Sequence, residues 1–336
     1  MTSLTYLQSD FWEKLSSSHI EERERMETKL SVSDALSNST IITDVSEKLI
    51  QNDFFLKILI KQRNYQRCDS NYINKTINGL STSSDIRNLC ATYLIDNQGL
   101  CDGYKEQFGI FCLTANDVCK KKRYTCGDAV LFDQQENVSD YEKCKEQLNT
   151  PCNSLIIIDP YLFDEKHYIN TALIPLLDKI LPQKLQIPFH ITIFSQPLNC
   201  LKWGEVKLSK PDDIFPYFND LINKLRKDLH ISLTLCHSTK SGEIKNGERG
   251  DFHDRYILTN CLLVKAPDGL DISGKNGKCG KWSNFEFVWP PLDNNKRRDV
   301  DNYYRWIDIT SKNIQNPNKC LNKWGANKNR LFDLVK

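Results

Sequence analysis

Residues 154–161 read SLIIIDPY, and this stretch decides the fold class. Its first part, Ser154–Ile158, is an unbroken apolar and β-branched run, which is typical of a short strand buried on both faces. Such strands belong to parallel sheets that are covered by helices. The run ends in Asp159, Pro160 and Tyr161, so polar side chains follow directly where the strand stops.

The segments downstream repeat this pattern. Helical spacing alternates with β-prone runs: helix at 172–181, strand at 189–194, helix at 211–229, strand at 230–236, and paired strands within 251–264. This β-α-β-α-β-β order predicts an α/β domain with a largely parallel sheet flanked by helices. Ligands of such sheets bind at the carboxyl ends of the strands, which makes Asp159 and Tyr161 candidate substrate-binding residues.

The first 150 residues are less regular. We expect a helix over 4–37 and a second helix to about residue 62, capped by Asp44 or Ser46. Two β-prone stretches, 109–115 and 123–132, suggest a hairpin or two neighbouring strands. We therefore predict a separate, mostly helical α+β region at 1–150 that recognises substrate or a protein partner, followed by the α/β domain at 151–336.

Composition excludes several classes of protein. No apolar run approaches the length that crosses a bilayer, and the N-terminus lacks the pattern of an export signal, so we expect a cytoplasmic protein. The 13 cysteines include no C-x-x-C pair and are expected to be reduced thiols, many of them buried. We predict no metal and no other cofactor.

The residues with the clearest chemistry lie in GDFHDRYILTN, residues 250–260. His253 and Arg255 are two positions apart, so on a strand their side chains leave the same face of the sheet. An imidazole can attack phosphorus while a guanidinium holds the phosphate oxygens. The alternative is a surface strand on which both residues pack beside carboxylates.

The segment resembles the H-x-K-x4-D signature of the phospholipase D superfamily. His253 matches the nucleophile, Arg255 takes the lysine position, and Asn260 takes the position of the aspartate. The resemblance extends over about residues 150–290, where the strand at 156–161 is similar to the first strand of that fold. It implies a phospholipase D-like domain with a mixed, largely parallel sheet flanked by helices, and a phosphohistidine intermediate.

The resemblance also implies a Ser/Asn element downstream of the motif and a carboxylate that contacts the imidazole of His253. The candidates for the Ser/Asn element are Ser273 and Asn276, or alternatively Ser283 and Asn284. Glu286 is the candidate carboxylate, which would fix the histidine tautomer; the alternative is an ordinary glutamate at a strand edge. Two residues depart from the family pattern. Arg255 replaces the lysine with a planar cation, and Asn260 cannot carry the negative charge of the aspartate.

The mechanism implied by the family places two histidines at one phosphorus. The chain carries six histidines and a single H-x-R, so we expect the second His253 to come from another copy in a two-fold homodimer.

Two basic regions indicate nucleic acid, DNA or RNA, as the phosphodiester rather than a phospholipid membrane. One is the cluster at 120–123. The other is the stretch 296–336, which contains ten Lys and Arg but only four Asp, with aromatic residues between them. The alternative is a solvated surface with aromatic residues that anchor a C-terminal helix.

The leading hypothesis is therefore a metal-independent phosphodiesterase, a nuclease, of the kind found in bacterial defence or restriction-type systems. A second hypothesis is a catalytically degenerate module that binds nucleic acid or a phosphate ligand as a sensor or scaffold. A purely structural subunit is a third.

Overall fold

The computed structural model describes most of the chain in segments. These are residues 3–17, 22–36, 39–62, 64–80, 92–120, 129–132, 148–160, 162, 169–195, 211–238, 255–266, 269–270, 283–288 and 297–335.

The N-terminal part folds around a five-stranded parallel sheet with the order β3-β2-β1-β4-β5. Its strands are β1 (Ser3–Leu7), β2 (Ser39–Thr43), β3 (Tyr65–Arg67), β4 (Thr92–Leu94) and β5 (Cys112–Leu113). Helices connect them: α1 (Ser9–Ser17), α2 (Glu22–Ala35), α3 (Glu47–Asn52), α4 (Phe54–Gln62), α5 (Tyr72–Leu80), α6 (Gln98–Phe108) and α7 (Ala115–Lys120). This part is thus a layered α/β unit rather than the mostly helical α+β region that the sequence predicted.

The predicted helix over 4–37 was wrong at its start. Residues Ser3–Leu7 form the central strand, which pairs in parallel with β2 and β4, and helices α1 and α2 follow. The strand is only five residues long, and its leucines, Leu4 and Leu7, also fit helical spacing, so the periodicity of so short a stretch does not separate the two structures. The predicted cap of the later helix is confirmed, because the Ser46 side chain accepts a hydrogen bond from the backbone N–H of Leu49 at the start of α3.

The second sheet has eight strands in the order β13-β9-β8-β7-β10-β11-β12-β6. Its strands are β6 (Ala129–Phe132), β7 (Ser154–Ile158), β8 (Phe189–Ser195), β9 (Ile231–Ser238), β10 (Tyr256–Thr259), β11 (Leu263–Lys265), β12 (Ser283–Val288) and β13 (Cys320–Gly325). Strands β7, β8 and β9 run parallel, and the remaining pairs are antiparallel. The prediction of a mixed sheet is confirmed, but most of its strand pairs are antiparallel, so the sheet is not largely parallel. Helices α8 (Ile174–Ile180), α9 (Ile214–Leu225) and α10 (Arg297–Gln315) accompany it.

The two β-prone stretches before residue 133 do not form a hairpin. Strand β5 pairs with β4 in the first sheet, whereas β6 pairs with β12 at the edge of the second sheet. The second sheet thus takes a strand from within the predicted region 1–150.

Direct contacts connect the two sheets. Backbone N–H of Gln186 donates to the carbonyl of Gln107 at 2.8 Å, and the Asn153 amide donates to the carbonyl of Phe108 at 2.9 Å. One core cluster also extends across both, from Tyr6 and Tyr93 to the residues of β7 and β8. The end of α6 is consequently packed against the amino ends of the strands of the second sheet.

The C-terminal helix α10 covers the other face of the second sheet. Tyr303, Tyr304 and Trp306 are buried there, in a core cluster with Ile158 and Phe194. The hydroxyl of Tyr303 donates to the carbonyl of Thr259 at 2.6 Å. Three of the aromatic residues proposed to stack on bases therefore anchor a helix, as the structural alternative held. No helix within the described residues is long and apolar enough to cross a membrane.

Candidate active site at the carboxyl edge of the second sheet

Four polar side chains meet at the edge where the parallel strands end. Asp159 follows the last residue of β7, Ser195 ends β8, and His237 lies opposite Ser195 near the end of β9. Strand β10 runs in the opposite direction, so Arg255, which precedes it, reaches the same edge beside Asp159. The order across the sheet is His237, Ser195, Asp159 and Arg255.

All four residues leave the same face of the sheet. Each is two positions from a strand residue in the larger core cluster, and alternate residues of a strand share a face. Those four strand residues are Leu235, Ile193, Ile157 and Ile257. Parallel strands and one antiparallel neighbour thus bring four chemically different groups into one row, at the sheet edge where α/β proteins bind ligands.

Arg255 and Asp159 form the charged half of this row. Nε of Arg255 lies 3.4 Å from Oδ1 of Asp159; the carboxylate side chain is fully buried and the arginine side chain is 17% exposed. The Asp159 backbone is held in turn, since its N–H donates to the carbonyl of Phe194 at 3.1 Å. Asp159 lies within ion-pair distance of the guanidinium. The five N–H donors of a guanidinium allow it to bind a carboxylate and a phosphate together.

Ser195 and His237 form the neutral half, and both are fully buried. Burial lowers the pKa of His237 from 6.5 to about 4, so its imidazole is neutral at pH 7. The ring packs edge-to-face against Trp324, with centroids 4.8 Å apart, and the Trp324 indole donates to Asp212 at 2.9 Å. The Ser195 hydroxyl has no hydrogen-bond partner within the described part of the chain.

Sequence reasoning missed these two residues. His237 lacks the basic neighbour that marks His253, and Ser195 closes an apolar strand without any motif. The available signal was positional: each ends a parallel strand at the edge to which Asp159 had already been assigned.

Several predicted site residues lie outside the described residues, namely His253, Tyr161, Ser273 and Asn276. Their roles stay predictions, as does that of residues 121–123 of the basic cluster.

Asn260 lies at the opposite edge of the sheet. It follows the far end of β10, where Thr259 pairs with Leu155 near the beginning of β7. Its side-chain oxygen accepts from the backbone N–H of Asn153 at 2.9 Å, and its amide donates to the carbonyl of Gly109 at 3.3 Å. The predicted substrate-binding residue therefore joins the second sheet to the end of α6, and the structure does not bring it to Arg255.

Glu286 has a local partner on the other face of the sheet. Its carboxylate is 3.2 Å from Nζ of Lys265, the residue opposite it on β11. Its neighbours Phe285 and Phe287 enter the core cluster on the face that carries Arg255, so Glu286 projects away from that face. The position matches the structural alternative of a paired strand glutamate.

No group of three His, Cys, Asp or Glu side chains that could hold a metal ion is found among the described residues. Seven cysteines whose side chains the structure describes are free, and all of these but Cys68 are buried. No family model matches the chain, and no curated protein matches it either.

Proposed function

We propose that the protein is a metal-independent phosphodiesterase acting on nucleic acid, with His253 as nucleophile and Arg255 as the phosphate-binding cation. The observation that carries the proposal is the placement of Arg255: a guanidinium at the carboxyl edge of parallel strands, within ion-pair distance of the fully buried Asp159 and two positions from His253 in the chain. A planar guanidinium suits a phosphate because it can donate two parallel hydrogen bonds.

The reaction has two steps. In the first, the imidazole of His253 forms a bond to phosphorus, the bond to the leaving oxygen breaks, and that oxygen receives a proton from a second imidazole. In the second, water attacks the phosphohistidine, gives a proton to the second imidazole and releases His253. One source of the second imidazole is His253 of another copy across a two-fold axis.

The substrate class follows from the phosphodiester chemistry and from charge rather than from aromatic stacking. Exposed Lys319, Lys323 and Lys328 lie near the C-terminal strand β13 and favour an anionic polymer. Under this proposal the N-terminal α/β unit recognises the substrate or a protein partner. The proposal also includes a role for the nuclease in a bacterial defence or restriction-type system.

Cleavage assays with EDTA present test the proposal. Wild-type protein should release p-nitrophenol from bis-p-nitrophenyl phosphate and shorten single-stranded DNA, and His253→Ala should abolish both activities. His230→Ala is the matched control, because His230 is exposed and precedes β9 at the opposite edge of the sheet. Activity that survives in His253→Ala would exclude the phosphohistidine.

A specific observation favours a second candidate, a phosphate-binding module without catalysis. Asn260 stands where the phospholipase D signature has aspartate, and its side chain makes hydrogen bonds with backbone groups of Asn153 and Gly109, far from Arg255. If wild type and His253→Ala are equally inert but both retain single-stranded DNA in a salt-dependent manner, this candidate replaces the enzyme.

A further inference from the structure

Two cysteines lie together at the edge of the second sheet, on the face that α10 covers. Cys236 is on β9, and Cys320 begins the edge strand β13, where the register places it opposite Ser238, two residues from Cys236. Both cysteines belong to the smaller core cluster, and their thiols are hydrogen-bonded to each other. Two thiols in contact on neighbouring strands are placed to form a disulfide when an oxidant reaches one of them.

Several groups converge on the sulfur of Cys320. The S–H of Cys236 and the backbone N–H of His237 donate hydrogen bonds to it, and its own S–H donates to the carbonyl of Asn322 at 3.3 Å. The register shift within β13 places Lys323 opposite Cys236, on the same face as both cysteines. The sulfur therefore has two donors and a cation beside it, which is the environment that favours a thiolate.

The two thiols differ in ionisation and in exposure. The hydrogen bond from Cys236, together with Lys323 and the N–H of His237, outweighs burial and lowers the pKa of Cys320 below 9.0. The same thiol–thiol hydrogen bond, together with burial, raises the pKa of Cys236. Cys320 also keeps 8% of its surface exposed, whereas Cys236 is fully buried. Cys320 is therefore the thiol that reacts first, and Cys236 is the thiol that follows.

We propose that Cys320 and Cys236 form a site of reversible oxidation, at which a hydroperoxide converts the two thiols to a disulfide. In the first step the Cys320 thiolate attacks one peroxide oxygen and the O–O bond breaks. The products are the sulfenic acid of Cys320 and an alkoxide or hydroxide, which takes up the proton that the thiol had released.

In the second step the sulfur of Cys236 attacks the sulfur of the sulfenic acid. The S–O bond breaks, the thiol proton of Cys236 goes to the departing hydroxyl group, and water is released. The thiol pair loses two electrons and the peroxide gains them, so the step balances. This chemistry is independent of the proposed phosphodiesterase reaction.

The disulfide would join β13 to β9 beside the candidate active site. Within the described part of the second sheet, β13 pairs on one side only, so the sulfurs approach each other by movement of an edge strand. The same strand carries Trp324, whose ring packs against that of His237 with centroids 4.8 Å apart. Oxidation therefore fixes the strand that contacts His237.

Cys101 and Cys112 provide a comparison within the first sheet. Their thiols are also hydrogen-bonded to each other, between α6 and β5, and this hydrogen bond lowers the pKa of Cys101. Both residues are fully buried, however. Because a reactive thiol needs access as well as a lowered pKa, we expect oxidation at Cys320 and not at Cys101.

Peptide mapping after treatment with hydrogen peroxide tests the proposal. The remaining thiols of the treated wild-type protein are alkylated under denaturing conditions, and the digest is analysed by mass spectrometry without reduction. A cross-linked peptide with Cys236 and Cys320 should appear and be lost on treatment with dithiothreitol. Cys320 should react at least about 10-fold faster than Cys101. Equal rates for these two cysteines, or a disulfide between Cys320 and any cysteine other than Cys236, would overturn the proposal.

Single variants separate the roles of the two thiols. Cys236→Ser should stop the reaction at the sulfenic acid of Cys320, which dimedone labels, because the second thiol is missing. Cys320→Ser should leave Cys236 reduced, because that thiol is buried and its pKa is raised. Cys101→Ser is the matched control and should still form the disulfide. Oxidation of Cys236 at the wild-type rate in Cys320→Ser would overturn the assignment of the reacting thiol.

A charge substitution tests the environment of the Cys320 sulfur while both thiols remain in place. Lys323→Gln should slow the reaction of Cys320 with peroxide about threefold, because loss of the neighbouring cation leaves less thiolate. Lys328→Gln is the control, since Lys328 is also exposed but lies near His190, at the opposite edge of the sheet. Equal slowing in both variants, or none in Lys323→Gln, would overturn the proposed thiolate.

Discussion

Nε of Arg255 lies 3.4 Å from Oδ1 of Asp159, and Asp159 follows the end of β7 while Arg255 precedes the start of the antiparallel neighbour β10. The carboxylate is fully buried, whereas the guanidinium side chain keeps 17% of its surface exposed. Because the carboxylate is shielded from water, the positive charge of Arg255 offsets part of the free-energy cost of burying it. The burial also gives a physical reason for arginine at this position, because a delocalised guanidinium is more weakly hydrated than an ammonium group.

Arg255→Met should destabilise the protein more than Asp159→Asn. Loss of the arginine removes a positive charge from beside a fully buried carboxylate, and breaking a buried pair in this way costs about 3–5 kcal/mol, whereas loss of the carboxylate leaves a partly solvated cation. Urea denaturation of both variants measures the difference. A larger loss in Asp159→Asn would contradict this account of the pair.

Asn260→Ala should reduce stability by about 2 kcal/mol without changing phosphate binding. The substitution removes the acceptor of the Asn153 N–H and the donor to the Gly109 carbonyl, each worth about 1 kcal/mol. Urea denaturation and phosphate titration check the two statements, with Asn52→Ala, at an exposed position of α3 in the first sheet's region, as control. Weaker phosphate binding in Asn260→Ala would return Asn260 to the site.

Gly109→Ala and Gly103→Ala should have opposite effects. Gly109 ends α6 in the left-handed region, at φ 59°, and a Cβ there would collide with the carbonyl oxygen of Cys152, which lies two residues before β7. Gly103 lies within the same helix and has room for a methyl group, so alanine at this position should stabilise the folded protein by up to about 1 kcal/mol. Thermal unfolding of the two variants gives the comparison; equal midpoints would show that α6 and β7 are not packed as described.

Asp53→Ala should cost about 3 kcal/mol at pH 7, far more than Asp220→Ala. Burial alone would raise the pKa of Asp53, but hydrogen bonds from Lys29 at 2.6 Å and Trp12 at 3.0 Å outweigh it and hold the pKa below 3.8. Both partners of the Asp53–Lys29 pair are almost buried.

The control pair lies in α9. Asp220 and Lys224 form an exposed ion pair that should be worth at most about 0.5 kcal/mol. The contribution of Asp53 should be complete above its unfolded pKa of 3.8 and be lost as pH falls through its lower folded pKa. Equal losses for the two aspartates in urea denaturation at pH 7 would contradict the prediction.

Two buried histidines should make the fold sensitive to mild acid. Burial lowers the pKa of His237 to about 4, and burial with Arg330 nearby lowers that of His190 to about 3, both from 6.5. The unfolded chain therefore binds protons first, and stability falls as pH drops from 6.5 towards these values.

At pH 5.5 each histidine should cost about 1.4 kcal/mol relative to pH 7.5. The free energy of unfolding at both pH values, in wild type and His237→Asn, measures the slope, which should be shallower in the variant. An unchanged slope would show that His237 is not kept neutral by burial.

Local sequence patterns predict the α/β class of residues 151–336 and the strand that precedes Asp159. Those properties follow from local composition, because an unbroken apolar run such as 155–158 is typical of a strand with both of its faces buried. The Ser46 cap was also predictable from the sequence, since a side-chain acceptor before a helix satisfies a nearby N–H without any tertiary contact.

Which polar residues share a site depends on tertiary structure that the sequence patterns do not reveal. Strand order and register place His237 and Ser195 beside Asp159, turn Glu286 to the other face and send Asn260 to the far edge. A sheet joins residues by hydrogen bonds between strands that are distant in sequence, and a shift of one residue reverses the face of every side chain. The buried aromatic residues of α10 illustrate the same limit, because composition gives their apolar character, whereas burial depends on the sheet they cover.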